Sequence, residues 1–206
     1  MIFVQLNNDV LVIYAPIGDA DMTAPLFPPD RDSEVRACKN ESTMRDKYLV
    51  WQLLKRAVEE HLKLDFANGK FTKTATGQWV CPDFYVSLAH PDGAVCVAVS
   101  DLPVGVDIEK GRSIRPQLAR RVLTDGELSY MESLPISERE GFFFEAWVKK
   151  ESTFKMTGGE ALLPRHRDTL TSSAITRRVL AGGEEYFIGI ASADDTKIEI
   201  LFLEEI

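Results

Sequence analysis

Asp107 and Glu109 stand one residue apart, in a segment where Val104, Val106 and Ile108 alternate with Gly105, Asp107 and Glu109. Period-two alternation puts both carboxylates on one face of a strand and the branched apolar residues on the other. Two oxygen ligands held side by side can bind one hard cation. A pair of acids on a solvated strand face is the plainer alternative. Farther on, Trp147, Glu151 and Lys155 recur every four residues, which on a helix draws a single stripe. A Glu four residues before a Lys is also the favoured order for a surface ion pair, and Trp147 suits a core. His90 closes an apolar run just before Pro91, Asp92 and Gly93. There its ring N–H can reach a phosphate at the mouth of a cleft, or serve structure alone.

These residues need strands and helices to hold them. Residues 2–6 and 10–15 run apolar around Asn7, Asn8 and Asp9 and predict two strands joined by a tight turn. Residues 84–88 and 94–99 flank His90 to Gly93 and predict a second pair, and three more strands are expected at 174–180, 185–192 and 197–204. From Thr43, the residues Tyr48, Trp51, Leu54, Val58 and Leu62 recur at spacings of three and four, the pattern of an amphipathic helix. Thr124 with Glu127, and Ser137 with Glu140, both match the capping box and predict helices over about 125–133 and 138–156. Residues 16–42, rich in Pro, Asp and Ser, predict only short helical turns. The order strands, helix, strands occurs before residue 103 and again after it. The expected class is α+β, with two similar halves, 1–103 and 104–206, packed face to face around a ligand cleft.

The composition narrows the function classes. A chain of 206 residues, 45% hydrophobic and 27% charged, is an ordinary globular protein of one large or two small domains. Its net charge of −8 argues against non-specific nucleic-acid binding, so an anionic ligand needs a local cationic pocket. Cys38, Cys81 and Cys96 are odd in number and lie outside any CxxC spacing, and read as reduced thiols. Asn7 to Asp9 interrupt the first apolar run well short of a membrane span, and no cationic leader precedes it. The expectation is a cytoplasmic protein with no membrane insertion.

The two motifs read Gly105-Val106-Asp107-Ile108-Glu109 and, about forty residues later, Trp147-Val148-Lys149-Lys150-Glu151-Ser152-Thr153-Phe154-Lys155, with His90 upstream. In them the chain resembles the 4′-phosphopantetheinyl transferase family, whose hallmark is a G-[IV]-D-[IV]-E strand followed by W-x-x-K-E-[SA]-x-x-K on a helix. Its length and duplicated layout look like the longer, surfactin-synthetase-activating type, a monomer whose halves form a pseudo-dimer. The resemblance is sharp over about 84–160 and general elsewhere.

What it implies is Mg²⁺-dependent transfer of the phosphopantetheine arm of coenzyme A to a serine of an apo acyl or peptidyl carrier protein, releasing adenosine 3′,5′-bisphosphate. Asp107, Glu109 and Glu151 would be the Mg²⁺ ligands or their immediate neighbours. His90 and Lys155 would contact the phosphates, with Lys155 placed to neutralise or protonate the departing group. Lys39 and Arg45 resemble the cations of the N-terminal half that grip the nucleotide, with ordinary surface charge as the alternative. Glu151 is the implied general base, Glu109 the alternative, and Lys150 a support of the same cluster. Two positions depart from the family: Gly77-Gln78-Trp79 stands where Gly-Lys-Pro is usual, removing a cation that meets the 3′-phosphate, and Ala89 replaces a Ser before His90.

Arg112, Arg115, Arg120 and Arg121 follow the acidic strand and can steer an acidic carrier protein, or form a solvated helix face. Two rival functions use the same residues. One is a metal-dependent phosphohydrolase with water as nucleophile; the other is a non-catalytic homologue that binds coenzyme A or a carrier domain. Retention of all three acids and Lys155 favours the transferase.

Overall fold

The computed structural model describes residues 9–158, 167–193, 196–204 and 206. The strand expected at 2–6 lies outside them. The described residues open with β1 (Asp9–Pro16), and α1 (Pro29–Arg36) follows, where only short turns were expected. Pro29 at the first helical position, with Asp30 and Asp32 in the first turn, suits a helix N-terminus, which tolerates a missing N–H and favours negative charge. Next is α2 (Glu41–Arg56), capped by the Asn40 side chain, which accepts from the Thr43 N–H at 3.0 Å. It runs on as a π-helical turn, Ala57–His61. A short ribbon of β2 (Thr72–Lys73) and β3 (Trp79–Val80) precedes the hairpin β4 (Tyr85–Ala89) and β5 (Ala94–Ser100).

After β6 (Val104–Lys110) come α3 (Pro116–Val122), α4 (Asp125–Ser133) and α5 (Ile136–Met156), then β7 (Ile175–Ala181), β8 (Glu184–Ser192) and β9 (Lys197–Phe202). The capping box at Thr124 forms, with Glu127 N–H donating to Thr124 Oγ1 at 3.2 Å and Thr124 N–H to Glu127 Oε2 at 2.7 Å. The one expected at Ser137 does not. Pro135 is the N-cap and α5 starts at Ile136, so Ser137 already lies in the first turn and cannot cap it. Among the described residues, no helix is long and apolar enough to cross a membrane.

The strands form two main sheets, β4-β5-β1-β9 and β6-β8-β7, and all their pairings are antiparallel except β1 with β9. The order β4-β5-β1 reproduces β7-β8-β6. In each case the first strand in sequence leads to a helix and then to a hairpin whose second strand pairs with it. The final strand, β9, returns to the sheet of the first half. Val10, Val12 and Tyr14 of β1 share one core with Val104, Val106 and Ile108 of β6, so the sheets pack face to face. Leu11, Ile13 and Ala15 point the other way, into the core beneath α2. The result is four layers: α2, sheet, sheet, α5.

β1 and β6 have matching registers, because Val10 lies opposite Ser100 and Val104 lies opposite Ser192, each at the hairpin's end. Leu11, Ile13 and Ala15 thus stand where the second half has Gly105, Asp107 and Glu109. The carboxylate face of β6 can be covered closely because two glycines make room. A Cβ on Gly105 would lie 1.8 Å from the Ser152 carbonyl oxygen, and one on Gly189 of β8 would lie 2.2 Å from that of Val148.

Candidate active site at the junction of the two sheets

The edge strand β4 of one sheet meets the edge strand β6 of the other. Their contact is pinned by buried Ser87, whose Oγ accepts the Val106 N–H at 2.9 Å. Lys155, near the end of α5, reaches into this junction and donates to Asp107 Oδ1 at 2.8 Å and to the carbonyls of Leu88 and Val106, each at 3.1 Å. One ammonium thereby ties α5, β4 and β6 together. The stripe expected on α5 is real. Glu151 lies half-buried one turn before Lys155, and Trp147 packs its ring on Phe143 with centroids 5.4 Å apart.

The three acids disturb one another. Burial, and then the charge of Asp107, push Glu109 up to about 7, with Glu151 adding and Arg112 and Lys155 opposing. Glu151 is raised by burial and by Asp107, against Lys155. Asp107 is raised by burial, also against Lys155. Carboxylates in this state favour a counter-charge. Among the described residues, no three His, Cys, Asp or Glu side chains are gathered tightly enough to hold a metal ion as they stand; the Lys155 ammonium is the cation in contact with Asp107. The donor set nonetheless fits a hard divalent ion. It is all oxygen, and Asp107 Oδ2 is a buried acceptor with no hydrogen-bond partner.

Beside this cluster opens a hollow of about 210 Å³, lined by His90, Leu88 and Lys155 together with Arg31, Glu34 and Lys47 of the first two helices. His90 is exposed at the rim, yet its surroundings crowd it. Desolvation first, then the charges of Lys155, Arg31 and Lys47, lower its imidazole to about 4, so it is neutral at pH 7 and keeps one N–H to donate. Arg31 is buried over the Trp51 ring, 4.9 Å from its centroid, and donates to the Lys47 carbonyl at 2.7 Å. Gln78 lines the hollow and donates to the Lys155 carbonyl at 3.3 Å, so the unusual Gly77-Gln78-Trp79 segment supports the end of α5.

The structure brings His90, Asp107, Glu109, Glu151 and Lys155 to one junction. Lys39 and Arg45 are not among the residues lining the hollow. Lys39 is exposed, and Arg45 is half-buried with its Nε unpartnered. The cations that do line it, Arg31 and Lys47, escaped the sequence reading, since no spacing links them until α1 packs on α2. Lys150 does not support the acid cluster. It is 1% exposed and bonds Glu127 at 2.8 Å and the Arg167 carbonyl. Adjacent helical residues point about 100° apart, which turns Lys150 away from Glu151.

Residues 103–194, from just before β6 to just past β8, match the 4′-phosphopantetheinyl transferase superfamily. Among curated relatives, a 4′-phosphopantetheinyl transferase of Bacillus pumilus is 32% identical over 109 residues, covering 52% of this chain and 47% of that protein. The transferase named Sfp in Bacillus subtilis is 27% identical over 139 residues, covering 66% and 62%. One from Aneurinibacillus migulanus is 29% identical over 113 residues, covering 54% and 48%. The chain thus spans about half to three fifths of the length of the curated relatives it matches. The superfamily match contains all three acids and Lys155 and leaves out His90, Arg31 and Lys47, which come from the first half.

Proposed function

We propose that this chain transfers 4′-phosphopantetheine from coenzyme A to a serine hydroxyl of an apo acyl or peptidyl carrier protein, releasing adenosine 3′,5′-bisphosphate. The observation that carries the reading is Lys155, shared between Asp107 and two edge-strand carbonyls at the head of a cation-lined hollow. A flexible ammonium there can turn from Asp107 to a phosphate oxygen. Neutral His90 can donate its N–H to the same pyrophosphate, and Arg31 and Lys47 add positive charge to the lining of the same hollow.

In the transfer step the serine Oγ forms a bond to the phosphorus bearing pantetheine, and that phosphorus loses its bond to the bridging oxygen. The bridging oxygen leaves with the nucleotide, and Lys155 neutralises its charge. The serine proton passes to Glu151, or to Glu109. Burial raises both from their ordinary values, Glu109 to about 7, which strengthens each as a proton acceptor. A Mg²⁺ ion on Asp107, Glu109 and Glu151 would supply Lewis acidity and charge neutralisation to the pyrophosphate.

The repeated strand order supports a pseudo-dimeric reading of the two halves, with acids on β6 and apolar residues at the matching places on β1. The same reading has the chain working as a monomer in the cytoplasm. Arg112, Arg115, Arg120 and Arg121 are exposed next to β6, and Arg112 is near enough to act on Glu109, which supports docking of an acidic carrier beside the acids.

The test is the intact mass of apo acyl and apo peptidyl carrier proteins after incubation with the chain, coenzyme A and Mg²⁺, with Glu151→Gln as control. Gain of one phosphopantetheine unit, lost in the variant, is the expected result. Coenzyme A binding without mass gain on either carrier would replace the proposal with a non-catalytic binder. Consumption of coenzyme A without any carrier would replace it with a phosphohydrolase.

A further inference from the structure

Glu34 on α1, which has no part in the transfer chemistry, is the centre of a charge cluster that includes two of the cations lining the hollow. Its Oε2 lies 3.3 Å from Arg31 Nη1 and 3.0 Å from Lys73 Nζ, and its Oε1 lies 3.4 Å from Lys47 Nζ. Trp79 Nε1 donates to Oε2 at 3.2 Å. These donors arrive from α1, α2, β2 and β3. Burial opposes the charge on Glu34, yet the Lys73 hydrogen bond and the charges of Arg31, Lys73 and Lys47 hold it down at about 2, so it is ionised at any working pH. Three cations gathered on one carboxylate leave a positive excess around Glu34, and Arg31, Glu34 and Lys47 line the same hollow as Lys155.

Coenzyme A carries two anionic sites, its pyrophosphate and a phosphate monoester on the ribose 3′ oxygen. With the pyrophosphate at Lys155 and His90, the monoester is the group left for the cluster around Glu34. That cluster is already partly neutralised from within, and a phosphate dianion approaching it meets a fixed carboxylate as well as the three cations. The side chains of Lys47 and Lys73 remain 26% and 41% exposed, so both can swing to a ligand.

We infer that Glu34 is a specificity-determining residue: an internal anion that competes with the ribose 3′-phosphate for Arg31, Lys47 and Lys73, so that this chain distinguishes coenzyme A only weakly from 3′-dephospho-coenzyme A. The inference rests on the transfer reading for its ligand.

Calorimetric titration of the full chain with each of these two nucleotides, in Mg²⁺ and without carrier protein, tests it. Glu34→Gln tightens coenzyme A by about 10-fold and leaves 3′-dephospho-coenzyme A within about twofold, since one charge is removed beside a dianion that only the first ligand carries. Lys73→Met, at an exposed position that does not endanger folding, weakens coenzyme A alone. Equal changes for both nucleotides, or weaker coenzyme A binding in Glu34→Gln, would overturn the inference and leave the transfer reading intact. Failure of the wild type to bind either nucleotide would sink the transfer reading, and this inference with it.

Discussion

Gly105→Ala asks whether the close seating of α5 on β6 makes the site. The new methyl would stand 1.8 Å from the Ser152 carbonyl oxygen and 2.6 Å from the Met156 nitrogen. Both are backbone atoms and cannot rotate aside, so α5 must retreat by more than about 1 Å to reach ordinary contact. Gly189 brings the same helix equally close to β8, which leaves little room to pivot. Overpacking of this kind costs about 1–3 kcal/mol. For a chain of this length that lowers the melting temperature by roughly 3–10 °C. The retreat also carries Glu151 and Lys155 away from Asp107 and Glu109, and stretches the 2.8 Å contact of Lys155 with Asp107. A misplacement of about 1 Å in a catalytic constellation costs on the order of 100-fold in rate. Thermal melting by circular dichroism and carrier-protein mass kinetics read the two effects separately. A melting temperature within about 1 °C of wild type, with a rate within about twofold, would refute the argument that the glycine sets the site.

The other expectations follow from charge. Reversing Arg115 and Arg120 to Glu lowers the rate with carrier protein mainly through association and flattens its salt dependence; an unchanged rate at low salt would dismiss docking on this patch. Glu127→Gln strands Lys150, whose only other acceptor among the described residues is the Arg167 carbonyl, and costs about 3–5 kcal/mol by urea unfolding. Although burial opposes it, the bonds from Lys150, Thr169 and Thr124 lower the carboxyl of Glu127 in the fold. Its contribution is therefore complete above the unfolded value of 4.5 and fades as pH falls through the lower folded one. The stability gap between wild type and Glu127→Gln should close on acidification through that window, and a gap independent of pH would contradict the assignment.

Sequence periodicity determined the parts of this protein that depend on near neighbours. Alternation along residues 104–109 put Asp107 and Glu109 on one face, and the stripe Trp147, Glu151, Lys155 aimed α5 at it, because strand and helix geometry repeat over two and about four residues. Thr124 and Glu127 announced α4 for the same local reason. The Pro-rich stretch 16–42 predicted only short turns where α1 forms, and Pro135 displaced the cap expected at Ser137.

Tertiary packing decided the rest. Glu34 meets Arg31 through a local three-residue spacing on α1, but Lys47, Lys73 and Trp79 reach it from three other elements, and no spacing in the chain encodes their meeting. Lys150 sits beside Glu151 in sequence, yet the turn of the helix sends it to a buried partner, Glu127, on another element. The return of β9 to β1 likewise depends on which sheet edge is left open once both hairpins have paired. Local sequence fixed the direction in which side chains project, whereas the partners they find across the fold depend on burial and long-range packing.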